Sequence, residues 1–315
     1  MPYFRHSITL HDNRKGKREI KMNKIKLEKK HWFLIGRLLM IVGILIPLYA
    51  FLSITINDLK KANEYEEYIE KEAKLSREEK QILEKKIKRY NKSVKDLDAG
   101  AVDPFTGNDF KARYNIEGED KEAFSYIRIP KIDVTLPVYL GASYKHLAMG
   151  AAHVDGTNLP VGGKGTRSVI AGHRGFYKDT MFLNLHELEK GDEIIIRRGT
   201  ETLIYKVTDS EVINPYDWDK LDPIENEDIL TLLTCDPIRP PSPYRLIVNA
   251  KRYEPPKKEG IENEVVKIES TPVKREVKTV NTWIYVGTVL LSILFLYVLV
   301  STVVKYGKMK RKEEE

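Results

Sequence analysis

Two long runs without a charged residue divide this sequence and limit what it can fold into. Residues 38–56 form an uncharged run of 19 residues, and residues 282–304 form one of 23. At about 1.5 Å of rise per residue, each run is long enough as a helix to cross a hydrocarbon core about 30 Å thick. We therefore predict a transmembrane helix at each run, with a separate folded region between them.

The basic residues at the two ends indicate how such a chain is oriented. Residues 1–31 hold ten Lys and Arg against three acids, and residues 305–315 hold five against three. By the positive-inside tendency, the tails 1–37 and 305–315 are predicted to be cytoplasmic, so that residues 57–281 face outward from a cell membrane crossed twice. The first run is longer than the apolar part of a usual secretory signal and has no small-residue cleavage site after it, which favours an uncleaved anchor.

The formal charge of +7 is carried by these tails. The region between the two runs is therefore mildly acidic. A basic face that could bind nucleic acid is not expected there.

The first part of the outer region has a helical pattern. Residues 57–98 are rich in Lys, Glu, Ile and Leu, lack Pro and Gly, and carry apolar residues at steps of four and three, namely Leu83, Ile87, Tyr90, Val94 and Leu97. This spacing predicts an amphipathic helical stalk that packs one stripe against the domain or against a partner. Residues 99–118 have too little apolar content for an element and are predicted to be a long loop, and residues 255–281 a polar linker.

Residues 119–254 have a different pattern, that of a mainly β domain. Seven short β-rich runs are separated by turn-forming clusters such as NLPVGGKG; the runs are FSYIRI, DVTLPVY, SVIAG, EIIIR, TLIYKVTDSEVI, ILTLLTC and RLIVNAKRY. Many short strands at close spacing predict a closed or nearly closed barrel, with only short helices between strands.

The only cysteine, Cys235, has no partner for an intramolecular disulfide. It ends the apolar strand 229–234, and the following DPIRPPSPY segment prevents the strand from continuing because proline cannot donate to a sheet ladder. The thiol is therefore expected at a strand end, facing a loop. From this placement alone, an inert packed cysteine is the commoner role.

Two other side chains are candidates to act with this thiol. An antiparallel return of the chain after the proline-rich segment would bring Arg245 beside Cys235, where a guanidinium can stabilise a thiolate or an oxyanion, although an Arg at a strand start is more often a surface charge. His173 follows the apolar run 168–172, and a histidine at a strand end can act as a general acid or base near neutral pH. His153 is the rival histidine, and spacing alone does not exclude it.

Together these residues resemble the sortase family. The run TLLTC, from Thr231 to Cys235, matches the T-L-x-T-C motif of sortases, Arg245 stands where the family carries its catalytic Arg, and residues 168–175 resemble the stretch that contains the catalytic His. The match covers roughly residues 124–253. It implies a sortase-like closed β-barrel of about eight strands.

The resemblance also implies roles for single residues. His173, Cys235 and Arg245 would be catalytic, Thr231 and Thr234 of the motif would help to bind substrate, and no metal or cofactor would be needed. His153 aligns with a non-catalytic position of the family.

Class C sortases, which polymerise pilins, are similar to this chain in two further respects. They have a membrane segment at each end, and a lid ahead of the barrel whose motif is Asp-Pro followed by an aromatic residue. Asp103, Pro104 and Phe105 fit that motif inside the predicted loop 99–118. The resemblance implies that Phe105 covers Cys235 and that Asp103 approaches Arg245, whereas an ordinary turn is the alternative for these three residues. The proline-rich segment after Cys235 departs from the family pattern, which leaves its contacts with substrate open.

The implied reaction is cleavage of an LPxTG-like sorting signal between Thr and Gly, followed by transfer of the acyl group from Cys235 to an amine. In class C relatives that amine is a pilin lysine, so the product is a covalent pilus on a Gram-positive surface. A housekeeping sortase that joins surface proteins to a cell-wall peptide is the alternative within the enzyme class. A membrane-tethered β-barrel without catalysis, in which Cys235 is merely packed, is the alternative from another class.

Overall fold

The computed structural model describes residues 4–11, 19–25, 29–96, 103–105, 114, 116, 121–176, 179–255 and 275–314. Its helices are α1 Lys29–Ala73, α2 Arg77–Asp96, α3 Tyr144–Met149 and α4 Arg275–Glu314, with short 3₁₀ helices at Pro130–Ile132, Leu185–Glu187 and Trp218–Leu221. Its strands are β1 Phe4–His11, β2 Glu19–Ile25, β3 Ser125–Ile129, β4 Val134–Leu140, β5 Ala151–His153, β6 Thr166–Ala171, β7 Glu193–Arg198, β8 Glu201–Ile213, β9 Asp228–Asp236 and β10 Tyr244–Tyr253. Most of the predicted loop 99–118 and of the predicted linker 255–281 lies outside the described residues.

The chain forms two compact units, residues 1–52 with 284–315, and residues 53–283. In the first unit, β1 and β2 form an antiparallel pair that the sequence pattern did not predict. The two uncharged runs lie within α1 and α4, and both helices are long and apolar enough to be candidate membrane spans. Their side chains are largely exposed, as expected for helices that meet lipid.

In the second unit the predicted stalk is two helices. Helix α1 ends at Ala73 and α2 begins at Arg77. Ser76 and Glu79 form a capping box, in which the Ser76 amide donates to the Glu79 carboxylate at 2.8 Å and the Glu79 amide donates to the Ser76 hydroxyl at 3.2 Å. This S-x-x-E signature was present in the sequence and marks the break.

The apolar stripe of α2 packs against the barrel domain, which is one of the two arrangements that the sequence left open. Ile87 and Tyr90 are buried in a cluster with Tyr114, Phe124, Leu140 and Leu159, and Leu83 and Val94 are partly buried beside it. Leu97, the last member of the predicted stripe, lies outside the described residues. The stalk is therefore part of the folded domain.

The predicted closed barrel is confirmed. Its eight strands follow the order β10-β8-β7-β3-β4-β5-β6-β9 and close between β9 and β10. All neighbours are antiparallel except β4 with β5 and β6 with β9. The seven predicted runs correspond to seven of these strands. The eighth, β5, was missed because three residues are too few to show an alternating pattern.

Two apolar clusters lie on opposite faces of β9 and β10. The cluster that includes Leu230, Leu232 and Leu246 draws on strands from all round the barrel and fills its interior. Leu233 and Ile247 belong instead to a cluster on the outer face, together with residues of β5, β6, α3 and the 3₁₀ helix at Trp218–Leu221. Because side chains alternate along a strand, odd-numbered residues near the end of β9 face this outer cluster.

Candidate active site

Cys235 lies on the outer face near the end of β9 and is partly exposed. Strand β10 runs antiparallel beside β9 and pairs Arg245 with Cys235. Directly opposed residues on neighbouring strands present their side chains to the same face. The hydrogen-bond ladder of the sheet therefore fixes the guanidinium next to the thiol.

The other neighbour of β9 brings His173 to the thiol. Strand β6 runs parallel to β9, and the last pair in this register is Ala171 with Leu233. Beyond the end of β6, the Gly172 amide still donates to the carbonyl oxygen of Leu233, so the next residue, His173, lies beside the end of β9. Cys235 is thus flanked by His173 on one side and by Arg245 on the other.

The backbone that leads into His173 is held in place by Gly172 and its contacts. The Gly172 amide donates to the carbonyl oxygen of Leu233 at 3.0 Å, and the Gly172 carbonyl accepts from the Thr234 hydroxyl at 2.8 Å. A Cβ at Gly172 would lie 2.7 Å from the ring of Phe182, so no larger residue fits there without movement. The Phe182 amide also donates to the carbonyl oxygen of His173 at 3.1 Å.

Arg174 holds the other side of this junction, and sequence reasoning missed it. Its Nη1 donates to the carbonyl oxygen of Cys235 at 3.0 Å and forms an ion pair with the carboxylate of Asp236. The side chain of Arg174 is only 6% exposed. It therefore ties the chain after His173 to the end of β9, and its position next to His173 was the only sequence signal.

Asp103 forms a buried, two-point ion pair with Arg245. The Nη2 group donates to Oδ2 of Asp103 at 2.7 Å and the Nε group donates to Oδ1 at 3.2 Å. Asp103 is 4% exposed and Arg245 is 5% exposed. A bidentate pair of this kind is among the stronger side-chain contacts, and here it occupies the Nε and Nη2 donors of Arg245.

Phe105 lies between the two groups that flank Cys235. Its ring centre is 5.7 Å from that of His173 and 5.3 Å from the guanidinium carbon of Arg245. The Phe105 amide donates to Oδ1 of Asp103 at 3.1 Å, which keeps the segment in a tight local turn. Asp103 and Phe105, two members of the predicted lid motif, therefore both contact the site.

The electrostatics of this arrangement favour uncharged reactive groups. Burial raises the pKa of the Cys235 thiol, Arg245 and Arg174 lower this pKa, and Asp103 raises it further. Burial also lowers the pKa of His173. Among the described residues, Nε2 of His173 has no hydrogen-bond partner although it is buried. The site as folded thus favours a thiol and a neutral imidazole over the ion pair.

The two threonines of the TLLTC motif are both fully buried. The Thr231 hydroxyl donates to the Asn249 side chain at 2.8 Å and accepts from Arg167 at 3.2 Å, whereas Thr234 bonds to Gly172 as described. Their role in binding substrate stays a prediction, since neither hydroxyl faces an open surface here.

The rival histidine, His153, lies within the packed domain. One ring nitrogen is 2.8 Å from the carbonyl oxygen of Asn158, and the other is 3.1 Å from the hydroxyl of Tyr114. Burial lowers the pKa of His153 to about 4. The side chain is 0% exposed, so it serves the structure of the domain and not a surface site.

The proline-rich segment after Cys235 is an exposed loop that folds back on itself. The Ser242 hydroxyl donates to the carbonyl oxygen of Pro237 at 2.7 Å, and the Ser242 carbonyl accepts from Arg245 at 3.2 Å. The loop is therefore connected to the guanidinium that flanks the thiol.

Comparison with known proteins gives consistent matches. The family model for the sortase domain matches residues 127–253. Sortase A of Bacillus anthracis is 30% identical over 139 residues, which are 44% of this chain and 60% of that protein. The match thus spans less than two thirds of that curated relative.

Solved structures match over nearly their whole length. Sortase C-3 from Streptococcus pneumoniae is 36% identical and superposes with a TM-score of 0.57, covering 61% of this chain and 90% of that one. The pilus-related sortase C of Group B Streptococcus is 33% identical with a TM-score of 0.55, covering 61% of this chain and 96% of that one.

Proposed function

Because this chain belongs to the sortase family, we propose that it is a cysteine transpeptidase in which Cys235, His173 and Arg245 carry the chemistry. The observation that carries the proposal is the position of Cys235 between two strands: β10 aligns Arg245 with it, and β6 leads His173 to its other side. A cysteine with a merely structural role would need neither neighbour.

In the first half of the reaction, the Cys235 thiolate attacks the carbonyl carbon between Thr and Gly of an LPxTG-like sorting signal. A C–S bond forms and the carbonyl oxygen becomes an oxyanion, which Arg245 stabilises. His173, as imidazolium, then gives its proton to the departing glycine amine as the C–N bond breaks. The products are a thioester on Cys235, a free amine and a neutral imidazole.

In the second half, an amine attacks the thioester and gives its proton to the neutral His173. The C–S bond breaks as the new C–N bond forms, which restores the thiolate and the imidazolium. We propose that the amine is a lysine side chain of a pilin subunit, so that repeated cycles build a covalent pilus. The similarity to a pilus-related sortase C supports this acceptor over a cell-wall peptide.

Residues 103–105 act in this proposal as a lid that closes the resting site. Asp103 occupies the donors of Arg245, and the ring of Phe105 fills the space between His173 and Arg245. Substrate must displace both side chains before the oxyanion can reach the guanidinium. While the lid is in place, burial and the Asp103 carboxylate raise the pKa of Cys235 and favour its neutral thiol.

The two apolar helices anchor the enzyme in a membrane. We propose that both basic flanks are cytoplasmic and that the barrel faces outward, as the distribution of Lys and Arg predicts. Surface proteins with sorting signals would then meet the enzyme after export.

The deciding experiment measures formation of the thioester on Cys235. The full chain in nanodiscs is incubated with an LPxTG peptide, and the adduct on Cys235 is measured by mass spectrometry, with Cys235→Ala as the blank and Arg245→Lys as a second variant. We expect the adduct in the wild type and none in Cys235→Ala. In Arg245→Lys we expect the rate of adduct formation to fall by about 10²-fold, because a lysine lacks the planar set of N–H donors of the guanidinium.

If neither the wild type nor the Phe105→Ala variant forms the adduct, the result would favour a packed, non-catalytic role for Cys235. To test the acceptor, a pilin-derived lysine peptide and a cell-wall peptide are offered together to the adduct. Preferential transfer to the cell-wall peptide would favour the housekeeping role.

A further inference from the structure

The loop that follows His173 is joined to the stalk by a buried ion pair. Lys61 of α1 pairs with the carboxylate of Asp179, and the side chains are only 10% and 9% exposed. The Asn57 side chain donates to the same carboxylate at 3.4 Å. Buried charges are costly without a partner, so this pair fixes two elements that are far apart in sequence. By contrast, the neighbouring pair of Lys60 with Glu64 is exposed.

Asp179 in turn fixes the position of Phe176. The backbones of these two residues exchange two hydrogen bonds, of 2.9 and 2.8 Å, and form an isolated β-bridge. The second carboxylate oxygen of Asp179 accepts from the Met181 amide at 3.0 Å. A displacement of Asp179 would therefore move Phe176 with it.

Phe176 stacks on the imidazole of His173. Their ring centres are 4.6 Å apart and the planes differ by only 12°. Phe105 meets the same imidazole at a tilted angle and belongs to the proposed lid, whereas Phe176 belongs to the loop of His173 itself. When the lid is displaced, Phe176 remains as the aromatic support that sets the plane of the ring.

The contacts lead from Lys61 through Asp179 and Phe176 to His173. Helix α1 also contains the candidate membrane span 38–56, and Lys61 is five residues beyond its end. We propose that Lys61 is a positioning residue: through Asp179 and Phe176, the helix that leaves the membrane holds the imidazole of His173 in its catalytic orientation. This inference rests on the proposed role of His173 in the transpeptidase reaction.

The experiment uses the full chain in nanodiscs and measures two quantities. The first is the rate of thioester formation with an LPxTG peptide. The second is the NMR shift of the His173 ring protons in ¹³C-histidine-labelled protein, assigned by the signal that disappears in His173→Gln. A phenyl ring stacked on the imidazole displaces these protons upfield, so the shift reports the stacking directly.

We expect Lys61→Met to slow thioester formation on the order of tenfold, because a misplaced imidazole is a poor proton donor, and to reduce the upfield displacement to the part that Phe105 causes. Lys61→Arg keeps the positive charge and should retain most of the rate of thioester formation and most of the upfield displacement. Lys60→Met, which removes the exposed neighbouring charge, should retain both fully.

Lys61→Met leaves the Asp179 carboxylate buried without its cation, so the double variant Lys61→Met with Asp179→Asn removes both charges and guards against simple unfolding. Unchanged rate and unchanged ring shift in these two variants would overturn the proposal, as would a slower rate with the ring shift intact. A wild type that forms no thioester would sink the transpeptidase function itself, while the ring shift still decides whether Lys61 positions His173.

Discussion

The carboxylate of Asp103 holds the guanidinium of Arg245 through two hydrogen bonds, and both side chains are almost completely buried. Their positions differ by 142 residues along the chain, so the contact closes a segment from before the barrel onto the end of β10. A cation that would serve an oxyanion in the reaction is neutralised by an internal carboxylate at rest. The reactivity of Cys235 should therefore depend on residues 103–105.

Phe105→Ala should make Cys235 more reactive toward a methanethiosulfonate reagent. Removal of the ring forfeits roughly 1–3 kcal/mol of apolar and aromatic contact, which corresponds to an increase of about 5- to 150-fold in the open fraction. The measurement is the second-order labelling rate of the full chain at neutral pH. Phe105→Trp keeps an aromatic ring and should label like the wild type, and equal rates for Phe105→Ala and wild type would contradict a covering role.

Asp103→Asn should move the pH dependence of thiol labelling to lower pH. In the wild type, burial and Asp103 raise the pKa of Cys235, while Arg245 and Arg174 lower it. The Asp103→Asn substitution removes one of the effects that raise the pKa of Cys235, and it releases Arg245 from its ion pair. The thiolate of Cys235 therefore forms at a lower pH. The midpoint of labelling rate against pH is the readout.

A matched variant for this test is Glu122→Gln, which neutralises an exposed carboxylate paired with Lys71. Its midpoint should equal that of the wild type. A midpoint for Asp103→Asn at the wild-type value or above it would show that the carboxylate does not control the thiol.

Thr234→Val should lower kcat for thioester formation more than it raises KM. The Thr234 hydroxyl donates to the carbonyl oxygen of Gly172, directly before His173, and its loss leaves that buried carbonyl short of a partner at a cost of about 1–3 kcal/mol. Thr234→Ser keeps the hydroxyl and should restore kcat. A rise in KM alone would instead indicate that Thr234 contacts substrate, as the family resemblance implies.

His153 should make the folded domain less stable in acid. Burial lowers the pKa of His153 to about 4 in the folded state, below the ordinary value of about 6.5. Between these pH values the unfolded chain binds a proton that the folded chain does not, so the free energy of unfolding decreases as pH falls, by up to about 3 kcal/mol from this residue.

Chemical denaturation at several pH values between 4 and 7 provides the measurement for this residue, within the range of about 4 to 6.5 over which it titrates. His153→Gln should flatten the slope, whereas His186→Gln, at an exposed histidine, should leave it unchanged. A slope that survives in His153→Gln would assign the acid sensitivity to other groups.

The sequence predicted the pairing of Cys235 with Arg245 because prolines end β9 and the chain returns after a short loop. It could not choose between His153 and His173 from spacing, since both follow short apolar runs, and the choice came from the family resemblance. The parallel pairing of β6 with β9 decides the geometry, and such a pairing between strands separated by a long connection leaves no local signal.

The contacts that support the site were the least predictable. Arg174 binds the carbonyl oxygen of Cys235 across 61 residues, and Lys61 meets Asp179 across 118. Charged residues of this kind are read as a solvated surface unless the tertiary structure is known. The break in the stalk at Ser76, in contrast, had a local capping signature and was missed only because the helical pattern continues on both sides of it.

The position of β9 between β6 and β10 bears on which parts of this protein can vary in sequence. Because Cys235 draws its alignment from two adjoining backbones, we expect that rim segments with no contact to Cys235, His173 or Arg245 can vary in length and chemistry without displacing the thiol. Specificity can therefore diverge by exchange of these segments on a constant frame, which makes the barrel a suitable host for loop grafting.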